Sequence, residues 1–325
     1  MGAVPLVRVV RSDVEESVHL GHVAVCDADG RLVAHAGDPD RFLYGRSCTK
    51  PLQGAVSLRA MGDLPLPDVE VAVMCGSHTG EPVHLRTIRA LLRRVGLDAS
   101  DLRTPEAYPG DPDAHARARE RTRIAHNCSG KHAGMLVACA RAGWDLPGYR
   151  MRSHPLQRRV TAAVTNATGL ADLAIGIDGC GVPVHGVSLH AMATLFARLV
   201  RPERLGDLEP HARQAVAAML AAPYLVGGRD RTDTDLMAAT GDVLAKEGAE
   251  ALTCAGVSSS GLGVAVKIED GGYRAASPAV LHALRQIGAL TDVQVEALRA
   301  HARPPVLGGG RPVGAMTPIF DLIRP

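Results

Sequence analysis

Strand patterns lie at both ends of this chain and helical patterns lie between them. Apolar or alternating runs of strand length occur at residues 4–10, 18–26, 31–36, 263–269 and 273–276. Stripes of helical period or helix-start signals occur at residues 85–95, 131–142, 156–167, 190–200, 211–222, 234–246 and 277–287. The order predicts one α/β domain, 1–325, in which both chain ends (about 1–45 and 255–290) form an antiparallel sheet and the middle forms a helical lobe.

Charge and composition exclude two classes of partner. The chain has 36 basic and 34 acidic residues, a net charge of +2, and only 3% aromatic residues, so nucleic-acid binding is not expected. The longest uncharged stretch, 179–197, contains glycine, proline and histidine, which argues against a membrane span. Seven irregularly spaced cysteines and no apolar leader at the first residues predict a cytoplasmic protein with free or metal-bound thiols.

Lysine is rare in this chain. Only Lys50, Lys131, Lys246 and Lys267 are lysines, and arginine supplies the remaining positive charges. A buried lysine can lose its proton near neutral pH, whereas arginine cannot. Each lysine is therefore a candidate for chemistry, although Lys246, late in a predicted helix, reads as a surface residue.

Ser47 and Lys50 form a Ser-x-x-Lys motif at the start of a predicted helix. Residues i and i+3 share a helix face, so a neutral Lys50 amine can take the proton of the Ser47 hydroxyl and create a nucleophile. The motif also arises by chance, with a capping serine and a surface lysine as the alternative. In Ser-x-x-Lys hydrolases a second lysine on a strand lines the site, and Lys267, inside an apolar strand pattern, fits that position. A solvated strand face is the alternative for Lys267.

Cysteines in glycine-rich, polar segments indicate a second cluster. Cys128 lies in Cys-Ser-Gly-Lys-His, and Cys180 lies in Asp-Gly-Cys-Gly. Two thiols and a nearby nitrogen donor suit a zinc ion, with His126, Lys131 and His132 as nitrogen candidates. Two buried structural cysteines are the alternative. Ser77 and His78 are adjacent on an extended segment, where side chains point opposite ways, so we do not expect these two to act as a catalytic pair.

Four motifs in this order resemble the L-asparaginase II family of the rhizobial type. They are Arg46-Ser-Cys-Thr-Lys-Pro, Cys75-Gly-Ser-His-Thr-Gly-Glu, His126-Asn-Cys-Ser-Gly-Lys-His-Ala-Gly-Met and Gly176-Ile-Asp-Gly-Cys-Gly-Val-Pro. The resemblance extends from the first strand through Lys267. It implies a fold like that of serine β-lactamases and penicillin-binding proteins, and a homodimer that hydrolyses L-asparagine to L-aspartate and ammonia.

The resemblance also implies roles for individual residues. It pairs Ser47 with Lys50 and Ser77 with Lys267 as catalytic groups, and it makes Cys128, Lys131 and Cys180 zinc ligands. Arg46, His132 and Asp178 are then expected at the substrate. Because the serines already provide nucleophiles, the zinc ion is expected to orient the substrate and not to activate water.

The residues alone leave two other functions open. A penicillin-recognising acylase or esterase would share the fold, but Ser-Asp-Asn and Lys-Thr-Gly are both absent and Lys267 is followed by Ile-Glu. A zinc-stabilised binding protein without turnover would leave the lysines solvated. Ammonia release from L-asparagine, L-glutamine and a β-lactam under one assay separates these functions.

Overall fold

The computed structural model describes residues 2–325 and divides into two compact units. One unit, here the sheet unit, contains the residues up to Cys48, Val187–Arg201 and Ala239–Pro325. The other, here the helical unit, contains Thr49–Gly186 and Pro202–Ala238. Each unit therefore draws on segments that are far apart in the sequence.

Strands and helices follow each other in an order close to the predicted one. The strands are β1 Val4–Arg11, β2 Val14–Cys26, β3 Leu32–Ala36, β4 Phe42–Tyr44, β5 Ala174–Ile177, β6 Pro183–Ser188, β7 Val243–Gly248, β8 Leu252–Val257, β9 Leu262–Ile268, β10 Pro305–Gly308 and β11 Arg311–Pro318. The helices are α1 Lys50–Met61, α2 Asp68–Cys75, α3 Pro82–Arg93, α4 Pro112–Arg117, α5 Ser129–Ala142, α6 Pro155–Thr168, α7 Leu189–Val200, α8 Glu209–Ala221, α9 Thr232–Thr240, α10 Tyr273–Gln286, α11 Asp292–Ala297 and α12 Arg299–Ala302.

The sheet unit contains one antiparallel sheet built from both chain ends. Its strand order is β10-β11-β1-β2-β9-β8-β7, and β3 also pairs with β2. The amino-terminal β1 lies between β2 and β11, and β2 pairs with β9, so strands from the two ends are neighbours twice. The predicted α/β arrangement, with an antiparallel sheet from both ends, is confirmed.

Helix α7 packs closely on this sheet because glycines leave room for its backbone. A Cβ added to Gly256 would lie 2.6 Å from the carbonyl oxygen of Phe196 in α7. Gly263 in β9 likewise lies directly against the backbone of Ala193. Removing apolar surface from water is the main energetic gain of such packing, and the side chains of Val264 and Val266 in β9 are completely buried.

Close helix packing also builds the helical unit. Helix α1 contacts α2, α5, α6 and α8, and α5 contacts α2 and α3. A Cβ at Gly54 of α1 would lie 2.5 Å from the Sγ of Cys75 at the end of α2, so glycine is needed for this approach. The contact brings the first turn of α1 close to the residues that follow α2.

Two predictions at the carboxyl-terminal half are wrong. Residues 234–246 are not one helix, because α9 ends at Thr240, Gly241 has a positive φ of 63°, and β7 begins at Val243. Residues 273–276 are not a strand but the first turn of α10, which places Pro278 inside that helix. Strand β9 already pairs with β2 on one side and β8 on the other, so no edge is left for the predicted hairpin.

The glycine-rich segment near the carboxyl terminus forms a hairpin. Gly309 and Gly310 connect β10 to β11 with φ values of 56° and 78°. Two consecutive positive φ values are typical of the tight hairpin turn whose twist matches the flanking strands. The segment therefore has a structural role in adding β10 and β11 to the sheet beside β1.

The sequence predicts free or metal-bound thiols and argues against a membrane-spanning segment. All seven cysteines, which lie within the described residues, are buried free thiols, as predicted. Among residues 2–325 no helix combines the length and the apolar character that crossing a bilayer requires.

Candidate active site

A buried lysine and a buried serine meet in the helical unit. Lys50 is the first residue of α1, and Ser77 follows the end of α2. The Lys50 Nζ donates hydrogen bonds to the Ser77 Oγ at 2.8 Å and to the Gly76 carbonyl oxygen at 2.7 Å. The Lys50 side chain is completely buried and Ser77 is 3% exposed. An amine in hydrogen-bond contact with a hydroxyl is the arrangement that proton transfer to or from a serine requires.

The backbone on either side of Ser77 is fixed by a neighbouring segment. The Ser77 N–H donates to the carbonyl oxygen of Val226 at 2.7 Å, and the Thr79 N–H donates to that of Gly227 at 2.8 Å. A Cβ at Gly76 would lie 2.6 Å from the Val226 oxygen, so only glycine fits before Ser77. The serine hydroxyl is therefore held in a preorganised position.

The structure joins Lys50 to Ser77, a partnership that the sequence did not suggest. Ser47 is half-buried in a 3-10 turn, Arg46–Thr49, immediately before α1, and it belongs to the sheet unit. Lys267 also belongs to the sheet unit. The proposed pairs Ser47–Lys50 and Ser77–Lys267 stay predictions.

Lys267 lies in β9 with its amine bound to backbone oxygens. Its Nζ donates to the carbonyl oxygen of Glu250 at 2.7 Å and to that of Ile268. Burial lowers the pKa of Lys267, while the nearby carboxylates of Glu269 and Glu250 oppose that shift. The predicted solvated alternative is wrong, because only 9% of this residue is exposed.

Lys246 is a second buried amine in the sheet unit, and the sequence analysis missed it. It lies in the edge strand β7, is completely buried, and donates to the Glu247 carbonyl oxygen at 2.8 Å. The Cys48 thiol, next to Ser47, donates to the Lys246 carbonyl oxygen at 3.1 Å. The prediction that Lys246 is a surface residue of a helix is therefore wrong. The available signal was the short apolar run that precedes Lys246, which is similar to the one that precedes Lys267.

Distance across the sheet separates the two strand lysines. Gly248 in β7 pairs with Leu252 in β8, which pairs with Lys267 in β9. With neighbouring strands about 4.8 Å apart, Lys267 lies roughly 10 Å from β7. The turn that carries Ser47 contacts β7 through Cys48, so Lys246 is the lysine on the strand that this turn touches.

His78 is directed away from Ser77. Its Nδ1 accepts the backbone N–H of Gly80 at 3.1 Å, which leaves the proton on Nε2. Nε2 donates to the Ser129 Oγ at 2.9 Å, and this hydroxyl donates to the Ile124 carbonyl oxygen at 2.7 Å. Burial, together with His84 and Lys50, lowers the pKa of His78 well below its ordinary value. Both ring nitrogens of His78 are therefore bound to groups other than Ser77, and the expectation that the two do not act as a catalytic pair stays a prediction.

Two predicted thiols and one predicted amine meet at the start of α5. Cys128 immediately precedes α5, Lys131 lies in its first turn, and Cys180 follows β5. The Lys131 Nζ donates to the Cys180 Sγ at 3.1 Å. A hydrogen bond from Cys180, opposed by burial and aided by Lys50 and Lys131, lowers the pKa of Cys128 well below its ordinary value. The same hydrogen bond raises the pKa of Cys180.

Lys131 is charged in this cluster. Burial alone would lower its pKa, but Cys180 and Cys128 act in the opposite direction and the net shift is upward. A buried ammonium group beside a thiolate satisfies both charges. A metal that binds Lys131 and Cys180 would have to displace a proton from each of them.

Two of the three predicted substrate residues belong to the helical unit and the third belongs to the sheet unit. The Asp178 carboxylate accepts the Gly179 N–H at 2.9 Å and lies 3.7 Å from the Cys180 Sγ. His132 is completely buried in α5, and burial lowers its pKa to about 4, so its ring is neutral. Arg46 has a positive φ of 41° in the turn before α1 and belongs to the sheet unit.

A cavity of about 520 Å³ in the helical unit adjoins the Ser77 segment. Its lining includes His78, Thr79, Tyr108, Asp111, His126 and Arg229. Cavities that hold small molecules are of this size and combine apolar walls with a few polar groups. Tyr108, Asp111 and Arg229 were not singled out in the sequence, because they come from loops that only the fold brings together.

A family model described as L-asparaginase II matches residues 7–318. The chain belongs to the L-asparaginase II family. The match covers nearly all of the described residues, including every predicted site residue. Membership in this family makes the protein an amidohydrolase that acts on a small amide, as the resemblance implied.

Two solved structures that are similar to this chain are a β-lactamase and a glutaminase. A β-lactamase from Mycobacterium bovis is 17% identical, with 83% of this chain and 95% of that chain covered and a TM-score of 0.44. A Bacillus glutaminase is 14% identical, with 83% of this chain and 91% of that chain covered and a TM-score of 0.48. No curated protein matches the chain.

The thiol cluster suits a zinc ion in its chemistry. Thiolate sulfur and a neutral nitrogen are the donor types that zinc takes, and Cys128, Cys180 and Lys131 already lie in contact. No group of three or more His, Cys, Asp or Glu side chains suited to a metal occurs within residues 2–325. A site here would thus depend on the Lys131 amine as its third protein donor.

Proposed function

We propose that this amidohydrolase converts L-asparagine and water to L-aspartate and ammonia through an acyl-enzyme. The observation that carries the proposal is the buried contact between the Lys50 amine and the Ser77 hydroxyl in a member of the L-asparaginase II family. A serine and a lysine without a histidine–carboxylate pair can perform acyl transfer, provided the amine is neutral when it takes the proton.

In the proposed first step, the Ser47 Oγ attacks the side-chain amide carbon and Lys50 takes the hydroxyl proton. The carbonyl oxygen becomes an oxyanion, which nearby backbone N–H groups stabilise. The carbon–nitrogen bond then breaks, and the Lys50 proton passes to the departing ammonia through the Ser77 hydroxyl. Water, deprotonated by the same lysine, attacks the ester carbon on Ser47. The bond from this carbon to the Ser47 Oγ breaks, Lys50 returns the proton to Oγ, and aspartate is released.

A second lysine completes the proposed site, and two residues compete for that role. Lys267 is the sequence-based candidate, whereas Lys246 lies on the strand contacted by the turn of Ser47. Lys246-Glu-Gly248 differs from the Lys-Thr-Gly motif of penicillin-recognising enzymes at one position. We favour Lys246 because Lys267 lies about two strand spacings further into the sheet.

Replacing each strand lysine by methionine is expected to separate the two candidates. Lys246→Met should lower kcat for L-asparagine by roughly 100-fold or more, as loss of a general acid or base does. Lys267→Met should leave kcat within a few-fold of the unsubstituted protein. Steady-state ammonia release measures both variants, with urea unfolding as the check on folding. A large loss in Lys267→Met alone would restore Lys267 to the catalytic role.

We also propose a zinc ion held by Cys128, Lys131, Cys180 and a water molecule. When bound, the ion would supply a fixed positive charge that orients the substrate. Asp178 and His132, which adjoin Cys180, would hold this cluster and its ligand in place, and Arg46 is proposed to bind the substrate. A homodimer in the cytoplasm is part of the same proposal, and the mass measured by light scattering tests the dimer.

Zinc affinity is expected to fall as pH falls. Both cysteines and Lys131 must be deprotonated to bind, so protons compete with the metal for every ligand. Competition with a chelator between pH 6 and 8 should show weaker binding at the acidic end, and Lys131→Arg should bind more weakly at every pH. Undiminished affinity in Lys131→Arg would contradict ligation by Lys131.

The proposed activity is tested by measuring ammonia or product release from L-asparagine, L-glutamine and a β-lactam in one assay. We expect turnover of L-asparagine and less turnover of the other two. Preference for the β-lactam would favour a penicillin-recognising acylase. No turnover of any compound by the folded, zinc-loaded protein would favour a binding protein.

A further inference from the structure

Tyr149 is a buried side chain that the proposed reaction does not use. It lies between α5 and α6 and is completely buried. Its Oη accepts the backbone N–H of Arg103 at 3.1 Å and lies 2.6 Å from the Nδ1 of His132. The two rings meet edge to face with centroids 5.5 Å apart. Tyr149 therefore contacts the neutral histidine next to the thiol cluster.

The protons and acceptors available at Tyr149 and His132 determine which atom donates in the contact between them. A phenol has one proton to donate, and its oxygen already accepts the Arg103 N–H. If the His132 Nδ1 carried a proton, the tyrosine proton would have no acceptor among the contacts of this buried hydroxyl. An unpaired buried donor costs about 1–3 kcal/mol. The arrangement that leaves fewer unpaired atoms has the Tyr149 hydroxyl donating to Nδ1, because both the hydroxyl and Nδ1 are then paired.

The other ring nitrogen of His132 then carries the proton. The Nε2 atom is buried and has no hydrogen-bond partner of normal geometry among the described residues. A ring nitrogen that carries a proton has no free lone pair, and Nδ1 already accepts from Tyr149, so neither nitrogen of His132 is then available to a metal.

We propose that Tyr149 is a positioning residue, whose hydroxyl holds the proton of His132 on Nε2. This arrangement keeps His132 out of the ligand set and leaves Lys131 as the nitrogen donor. The consequence for metal binding rests on the proposed zinc site, whereas the tautomer of His132 does not depend on it.

The tautomer is measured directly by ¹⁵N NMR of histidine-labelled, zinc-free protein. His132→Gln identifies the His132 signals by their loss. We expect Nδ1 to resonate as an unprotonated ring nitrogen and Nε2 as a protonated one. A spectrum with the proton on Nδ1 would overturn the proposal, and this measurement needs no variant of Tyr149 to fold.

Tyr149→Phe removes only the hydroxyl and provides the second test. The Nδ1 signal should move away from the unprotonated position, and zinc affinity measured by chelator competition should fall about 10- to 100-fold, as for other outer-shell partners. Tyr224→Phe is the matched control, since its hydroxyl donates a 2.6 Å hydrogen bond to Glu81 elsewhere in the same unit. It should change neither quantity.

Two outcomes separate this proposal from the proposed function. An unchanged His132 spectrum in Tyr149→Phe would overturn the positioning role, whatever the activity of the variant. The expected spectrum in a protein that binds no zinc would support the role of Tyr149 and overturn the zinc site.

Discussion

Ser47→Ala is expected to lower kcat for L-asparagine by at least about 10³-fold, since removing a catalytic nucleophile leaves only binding and oxyanion stabilisation. Ser77→Ala should cost less, about 10²-fold, because it removes a proton-transfer partner of Lys50 and retains the nucleophile. Rapid-quench mass spectrometry should find the aspartyl group on a peptide containing Ser47, and the Ser77→Ala variant should still form it.

A buried serine in the same helix region provides the control for these variants. The Ser57 Oγ donates to the Gln53 carbonyl oxygen at 2.9 Å inside α1 and takes no part in the proposed chemistry. Ser57→Ala should therefore retain nearly full turnover. If the aspartyl group were found on Ser77, the serine in contact with Lys50 would be the nucleophile and the assignment of Ser47 would be contradicted.

Lys50→Arg is expected to lower kcat by about 100-fold or more, because arginine keeps the charge and cannot act as a base at neutral pH. Lys50→Met tests the same loss without the extra bulk of a guanidinium group in a completely buried position. Both variants should lose burst formation of the acyl-enzyme, since the proton of the nucleophile would have no acceptor.

Arg59→Lys is the control for these substitutions. Arg59 lies in the same helix, is exposed, and pairs with Asp207 at 3.0 Å, so exchanging its charged group should leave turnover unchanged. Urea unfolding should show that Lys50→Arg is folded under the assay conditions. Near-normal turnover in folded Lys50→Arg would contradict a proton-transfer role for Lys50.

The protons held by the thiol cluster affect how the proposed zinc ion would bind. Cys180 and Cys128 raise the pKa of Lys131 against the effect of burial, and a proton would have to leave this amine before the proposed zinc ion could bind it. The proposed zinc site would therefore respond to metal and proton concentration together, through contacts confined to the helical unit.

Local patterns in the sequence determined most of the secondary structure and the residue types of the site. The predicted helices at 131–142, 190–200 and 211–222 coincide with α5, α7 and α8, because an apolar stripe of period 3.6 depends only on nearby residues. The thiols of Cys128 and Cys180 were recognised from their glycine-rich surroundings, and the structure places Lys131 against Cys180 as expected.

Local sequence patterns predicted the wrong element where pairing with another strand decides the structure. Residues 243–246 have helix-forming composition, yet they form the edge strand β7, because pairing with β8 buries them completely. Lys246 was therefore placed on a surface, and Lys267 alone was chosen as the strand lysine.

Tertiary structure alone decided which groups touch. Lys50 and Ser77 are 27 residues apart, and they meet because Gly54 lets α1 approach the end of α2. Tyr149 and His132 are 17 residues apart, and no local pattern connects them. Sequence periodicity fixes which side chains share a face of one element, but contacts between elements depend on backbone approach distances that only the folded packing sets.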